Sequence, residues 1–101
     1  MANFGLEIAT RRKRAGISLR QLGELTGMSS SYLSLIERGL MPPPADPKLE
    51  LLGAALGLKS EEVYILAGRL PVEFRQFVRL NTASAMRVLR RLQKKELAQT
   101  R

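Results

Sequence analysis

The side chains in this sequence that could do chemistry are hydroxyls and guanidiniums. Neither cysteine nor histidine occurs. The Ser-His-Asp and Cys-His forms of nucleophilic catalysis are therefore excluded, as are disulfides and thiolate metal sites. A zinc site would have to be built from carboxylates, and only nine acidic residues are available. No acid–base pair or activated nucleophile can be assembled from the rest, so no enzyme, metal or cofactor is expected. What is left is recognition chemistry. Seventeen basic against nine acidic residues give a net charge of +8. An excess of that sign on a small chain suits an anionic partner, most often nucleic acid, although the same excess can serve solubility alone.

The elements that must position these side chains read as helical nearly throughout. With 45% hydrophobic and 26% charged residues, the chain is too apolar for disorder. It is long enough for one modest core. No alternating β-branched run suggests a strand. Phe4, Ile8 and Ala15, with Arg12 between them, mark one face of a first helix that stops at Gly16. Ser18-Leu-Arg-Gln21 is a capping box opening a second helix, with Leu22 and Leu25 as its inward stripe and Gly27 as its stop. Ser29 caps a third, in which Leu33 and Ile36 point inward before Gly39. Met41-Pro42-Pro43-Pro44 is an extended connector. Asp46 as cap and Pro47 as first helical residue start a fourth helix, with Leu49, Leu52, Ala55 and Leu56 apolar. Ser60 starts a short fifth, with Val63, Leu66 and Ala67. Pro71 opens a further helix, Asn81 or Thr82 breaks it, and Ser84 caps a last one.

Two short helices joined by a tight turn at Gly27 form a helix-turn-helix over Ser18 to Arg38. Gly23, without a side chain, lets its two helices approach closely. A plain αα-hairpin has similar punctuation, so the wider pattern decides. Arg12, Gly16-Ile-Ser18, Leu22, Gly27-Met-Ser-Ser-Ser-Tyr-Leu-Ser34, Ile36-Glu-Arg-Gly39 and Leu52…Ala55-Leu-Gly57 occur in order over five helices. Together they resemble the Cro/C1-type (XRE-like) helix-turn-helix family from about residue 4 to about residue 68. The resemblance implies an all-α, five-helix, lambda-repressor-like DNA-binding bundle in residues 1–68. It also implies a sequence-specific regulator of transcription, usually a repressor, that binds double-stranded DNA as a homodimer.

By the same resemblance, the helix beginning at Ser30 enters the major groove, and Ser30, Ser31, Ser34 and Leu35 stand where base contacts are made. Serine can bond several base edges and so discriminates weakly, while leucine can touch a thymine methyl. Ser18, Arg20, Tyr32, Arg38 and Arg14 are the matching phosphate-contact candidates. Arg12 and Glu37 match a structural ion pair between helices one and three. Arg12 can also be read as part of the solvated run Arg11 to Arg14, since cations at a helix C-terminus are favourable without a partner. Leu19 and Leu40 depart from the polar residues usual in the family, and Arg11 from an apolar one.

Charge is unevenly spread. Residues 1–68 hold eight basic and seven acidic side chains, whereas residues 69–101 hold nine and two. The second segment is expected to be a basic helical extension. Phe74, Phe77, Met86, Leu89 and Leu92 are its candidate dimer interface, because an apolar stripe needs a covering surface. One of the two phenylalanines can instead close the core under helices one and five. A regulatory protein partner is a further expectation. An antitoxin or a protein-interaction module, using the same bundle and basic tail, is the competing function. No apolar run approaches the roughly 20 residues of a membrane span, and no signal peptide is evident, so the expected location is cytoplasmic.

Overall fold

A computed structural model describes residues 3–99 as seven helices with no strand among them. Residues 1 and 2 of the expected first domain, and residues 100 and 101 of the expected extension, lie outside the described residues. The chain divides into two units, Met1–Leu70 and Pro71–Arg101.

In the first unit each helix begins and ends for a local reason. Helix α1 (Phe4–Arg14) starts where the Asn3 carboxamide oxygen accepts from the Leu6 amide at 3.3 Å. Helix α2 (Leu19–Thr26) starts at a complete capping box. Ser18 Oγ accepts from the Gln21 amide at 3.1 Å, and Gln21 Oε1 accepts from the Ser18 amide at 2.8 Å. Gly27, at φ +74°, ends it in the left-handed conformation that glycine adopts without steric cost. Helix α3 (Ser30–Glu37) starts where Ser29 Oγ accepts from the Tyr32 amide at 3.1 Å.

In the next two helices the cap falls one residue before the start signals Asp46 and Ser60. In α4 (Asp46–Ala55) the cap position is Ala45, so Asp46 is already helical and Pro47 is its second residue. Both still favour a first turn, Asp46 by its charge and Pro47 by its fixed φ. In α5 (Ser60–Leu66) the cap position is Lys59, whose amide donates to Glu62 Oε1 at 3.0 Å. Ser60 is released from capping, and its hydroxyl donates to Glu50 Oε1 of α4 at 2.9 Å.

Ile8, Leu22, Met28, Leu33 and Leu52 form one buried cluster. Leu49, Leu58, Val63 and Tyr64 form a second. A fully buried side chain of this size contributes about 1.5–3 kcal/mol. Leu25 and Ala15, expected on inward faces, are both exposed, Leu25 by 60%. The inward row of α2 runs through Leu22 and Thr26 instead. The Thr26 hydroxyl can be buried because it donates to the Leu22 carbonyl at 2.8 Å.

Close helix contacts depend on absent side chains. A Cβ on Gly23 would stand 2.6 Å from the Met28 carbonyl oxygen, so the turn into α3 fits only a residue with none. A Cβ on Gly5 would overlap the Ile36 and Glu37 carbonyls, so α1 meets the end of α3 backbone to backbone. The proline connector after α3 is non-helical, and Arg69 clasps it. One guanidinium nitrogen reaches the Pro44 carbonyl at 2.7 Å and Asp46 Oδ1 at 3.2 Å. The other reaches the Pro43 carbonyl at 3.1 Å.

The second unit contains α6 (Val72–Leu80) and α7 (Thr82–Gln99). Asn81 turns the chain between them, with its Nδ2 donating to the Phe77 carbonyl at 2.9 Å. The last helix begins at Thr82, two residues before the expected Ser84 cap. The Thr82 hydroxyl is taken up by the Val78 and Arg79 carbonyls, each at 3.0 Å. No residue of either helix is buried. Phe74 and Phe77 are 47% and 60% exposed. Among the described residues no helix is long and apolar enough to cross a membrane, and no group of acidic residues could hold a metal ion.

Candidate nucleic-acid interface

Helix α3 has two faces. Leu33 and Ile36 are buried on one. On the other, Ser30, Ser31, Ser34 and Leu35 share a shallow depression with Leu19 of α2 and with Arg38. Ser30 and Ser31, at the first turn, are exposed, while Ser34 and Leu35, a turn later, are partly so. Arg38 is exposed at the end of the helix, its Nε 3.4 Å from the Ser34 carbonyl. The result is an open face, hydroxyl-rich at the helix N-terminus, with an apolar patch from Leu19 and Leu35 and one cation at its far end. Such a face can form short hydrogen bonds and methyl contacts to base edges, and one ionic contact to phosphate.

Two serines near this face have fixed roles. Ser29 is the cap of α3. Ser18 accepts from the backbone, which leaves its own O–H free to donate while the N-terminal amides of α2 point out of the helix. Arg20 and Arg14 are exposed, and Arg20 Nε stands 3.6 Å from Glu24 Oε1. Tyr32 is half buried against the first core cluster, and the Lys48 ammonium of α4 lies 5.7 Å from its ring centroid. Lys48 was not a sequence candidate. Its proximity to Tyr32 joins two helices across the proline connector, and no local motif records it.

The face is held in place from behind. Arg12 Nε donates to Glu37 Oε2 at 2.7 Å and a terminal nitrogen to Glu37 Oε1 at 3.0 Å. The remaining nitrogen donates to the Ile17 carbonyl at 2.9 Å. The two side chains are 12% and 9% exposed. The hydrogen bond to Glu37 and, less strongly, its negative charge hold the Arg12 guanidinium above its ordinary pKa, against the opposing effect of burial. Glu37 is the last residue of α3, so this fork ties the end of that helix to α1. Phe74, Phe77, Met86, Leu89 and Leu92 lie in the second unit, all exposed.

The Helix-turn-helix domain family matches residues 3–64. An uncharacterised HTH-type transcriptional regulator of Mycobacterium tuberculosis is 44% identical over 66 residues, 65% of this chain and 46% of that protein. The chain thus spans about half the length of that relative. The HTH-type transcriptional regulator SinR of Bacillus licheniformis is 37% identical over 91 residues, covering 82% of this chain and 80% of SinR. A crystal structure of SinR, the master regulator for biofilm formation, in complex with DNA superposes with a TM-score of 0.55 at 38% identity. It covers 59% of this chain and 95% of that one. The complex of SinR with SinI gives 0.56 at 28% identity over 97% of this chain and 99% of that one.

Proposed function

The chain belongs to the XRE-like helix-turn-helix family, and on that premise we propose that it is a sequence-specific, double-stranded DNA-binding regulator of transcription. It acts without catalysis, in the cytoplasm, as a homodimer on paired half-sites, usually as a repressor. One observation carries this reading: the outward face of α3 presents Ser30, Ser31, Ser34 and Leu35 in one open depression while the inward face is locked into the core. In the major groove these four side chains face base edges. Ser18, Arg20, Tyr32, Arg38 and Arg14 face phosphates. Two copies associate through Phe74, Phe77, Met86, Leu89 and Leu92.

A second reading adds to the first. The exposed apolar side chains of α6 and α7 also suit a regulatory protein that competes with the second copy, and SinR itself is known in complex with SinI.

The test is binding of the full chain to duplex DNA from upstream of its own gene and to scrambled duplex, read by fluorescence anisotropy across a range of salt. The upstream duplex is expected to bind tighter and to weaken steeply with salt. Replacing Ser30 and Ser31 with alanine shifts base preference, whereas Arg38→Ala weakens all duplexes alike. Equal affinity for both duplexes at every salt concentration overturns the reading.

A further inference from the structure

Helix α7 carries two opposite faces. At 100° per residue, Arg87, Arg90, Arg91 and Lys94 fall on one side, with Lys95 at its edge. Ala85, Met86, Val88, Leu89 and Leu92 fall on the other. The first four side chains are exposed and line one shallow groove. None of them is in an ion pair among the described residues. In the first unit basic and acidic residues nearly balance, eight against seven over residues 1–68, and Arg11 faces Glu7, Arg12 Glu37, Arg20 Glu24, and Arg69 Asp46, while Lys13, Arg14, Arg38, Lys48 and Lys59 stand outside these pairs. The excess of basic over acidic residues lies in residues 69–101, nine against two, and four of those nine share one side of α7.

From this charge pattern we infer that the Arg87–Arg90–Arg91–Lys94 face of α7 is a second, sequence-independent binding surface for the phosphate backbone of duplex DNA. This rests on the DNA-binding reading above. The stripe rises about 10 Å along the helix, a length over which one DNA strand presents about three phosphates. Three of its four members are arginines, whose planar forks pair with phosphate oxygens bidentately. The face of α3 offers serines, leucines and one arginine, and so has little ionic grip of its own. The apolar face of α7 can be covered by a second copy while the basic face stays open. Sequence reading thereby falls to the first unit, and the second adds phosphate binding to that of the first.

The test compares the full chain with Arg87→Gln/Arg90→Gln/Arg91→Gln/Lys94→Gln on the upstream and the scrambled duplex. Glutamine keeps helix propensity. Three phosphate contacts contribute a log–log salt slope of about 2.7, or about fortyfold in affinity between 50 and 200 mM salt. The variant is expected to lose about that slope on both duplexes and to keep the affinity ratio between them. Its oligomeric state, by sedimentation, should not change. An unchanged slope overturns the inference. So does an unchanged slope accompanied by lost binding to phosphatidylserine vesicles, which assigns the stripe to an anionic membrane. If the variant dissociates, Arg87→Lys/Arg90→Lys/Arg91→Lys decides: a retained slope supports the inference and a lost one refutes it. A wild-type chain that does not distinguish the duplexes sinks the regulator reading, while the slope comparison on scrambled duplex still decides the role of α7.

Discussion

Replacing Arg12 with methionine strips Glu37 of both its hydrogen bonds and leaves a carboxylate that is only 9% exposed. Removing one member of such a pair costs about 3–5 kcal/mol, because the remaining charge stays buried without compensation. The slight exposure favours the lower end, about 3 kcal/mol. For a unit of this size that lowers the melting temperature by roughly 12–24 °C. Glu37→Leu should cost about as much, since it leaves the Arg12 charge unpaired. The double variant Arg12→Met/Glu37→Leu removes both charges and loses one further bond, Arg12 to the Ile17 carbonyl at 2.9 Å. It should fall only about 1 kcal/mol below the parent. The assay is urea unfolding of the four proteins by circular dichroism. The pH dependence has a definite sign. Arg12 is held above its ordinary pKa, so its stabilisation is fully present below the unfolded value and is lost only as pH rises through the higher folded value. The difference between parent and Arg12→Met should therefore not change across neutral pH. Single variants costing under about 1 kcal/mol, or a double variant costing the sum of the two, would refute the claim that this fork anchors α3.

Gly23→Ala should destabilise by about 1–3 kcal/mol, seen as a lower melting temperature, because the new methyl meets the Met28 carbonyl rather than a side chain that can move. Ser29→Ala removes the cap of α3 and should cost about 1 kcal/mol in urea unfolding. Arg69→Met releases the Pro43 and Pro44 carbonyls and Asp46. It should cost about 1–2 kcal/mol and raise hydrogen exchange at the start of α4.

Helix starts and stops were legible in the sequence wherever one residue type solves one local problem. Ser18 with Gln21, Ser29, Gly16, Gly27 and Gly39 are all of this kind. Misassignments occurred where two residues can solve the same problem. At α5, Glu62 accepts from the Lys59 amide, so the cap falls on Lys59 and Ser60 is the first helical residue. At α2, a leucine stood at i+3 from Leu22 and a threonine at i+4. The threonine went inward because its hydroxyl satisfies itself on the preceding turn, a bond that composition does not reveal. The candidate residues on α3 could be placed on a common face from helical spacing and the family pattern. Contacts that cross the chain were another matter. The Arg69 clasp on the proline connector and the Lys48 approach to Tyr32 join segments that leave no periodic trace. Phe74 and Phe77 look like core residues by type, yet no local pattern tells a core face from a face awaiting a partner.

The two bare glycines that flank α3 also bear on how such a protein could change over time. Gly5 and Gly23 let neighbouring backbones seat against the ends of α3, and Leu33, Ile36 and Glu37 fasten it from within. None of that anchorage involves the side chains of Ser30, Ser31, Ser34 or Leu35. On the proposed function, the reading face is thus mechanically separate from its mount. Those four positions can drift through many combinations at little cost to folding, so a duplicated copy could acquire a new target while inheriting an intact scaffold.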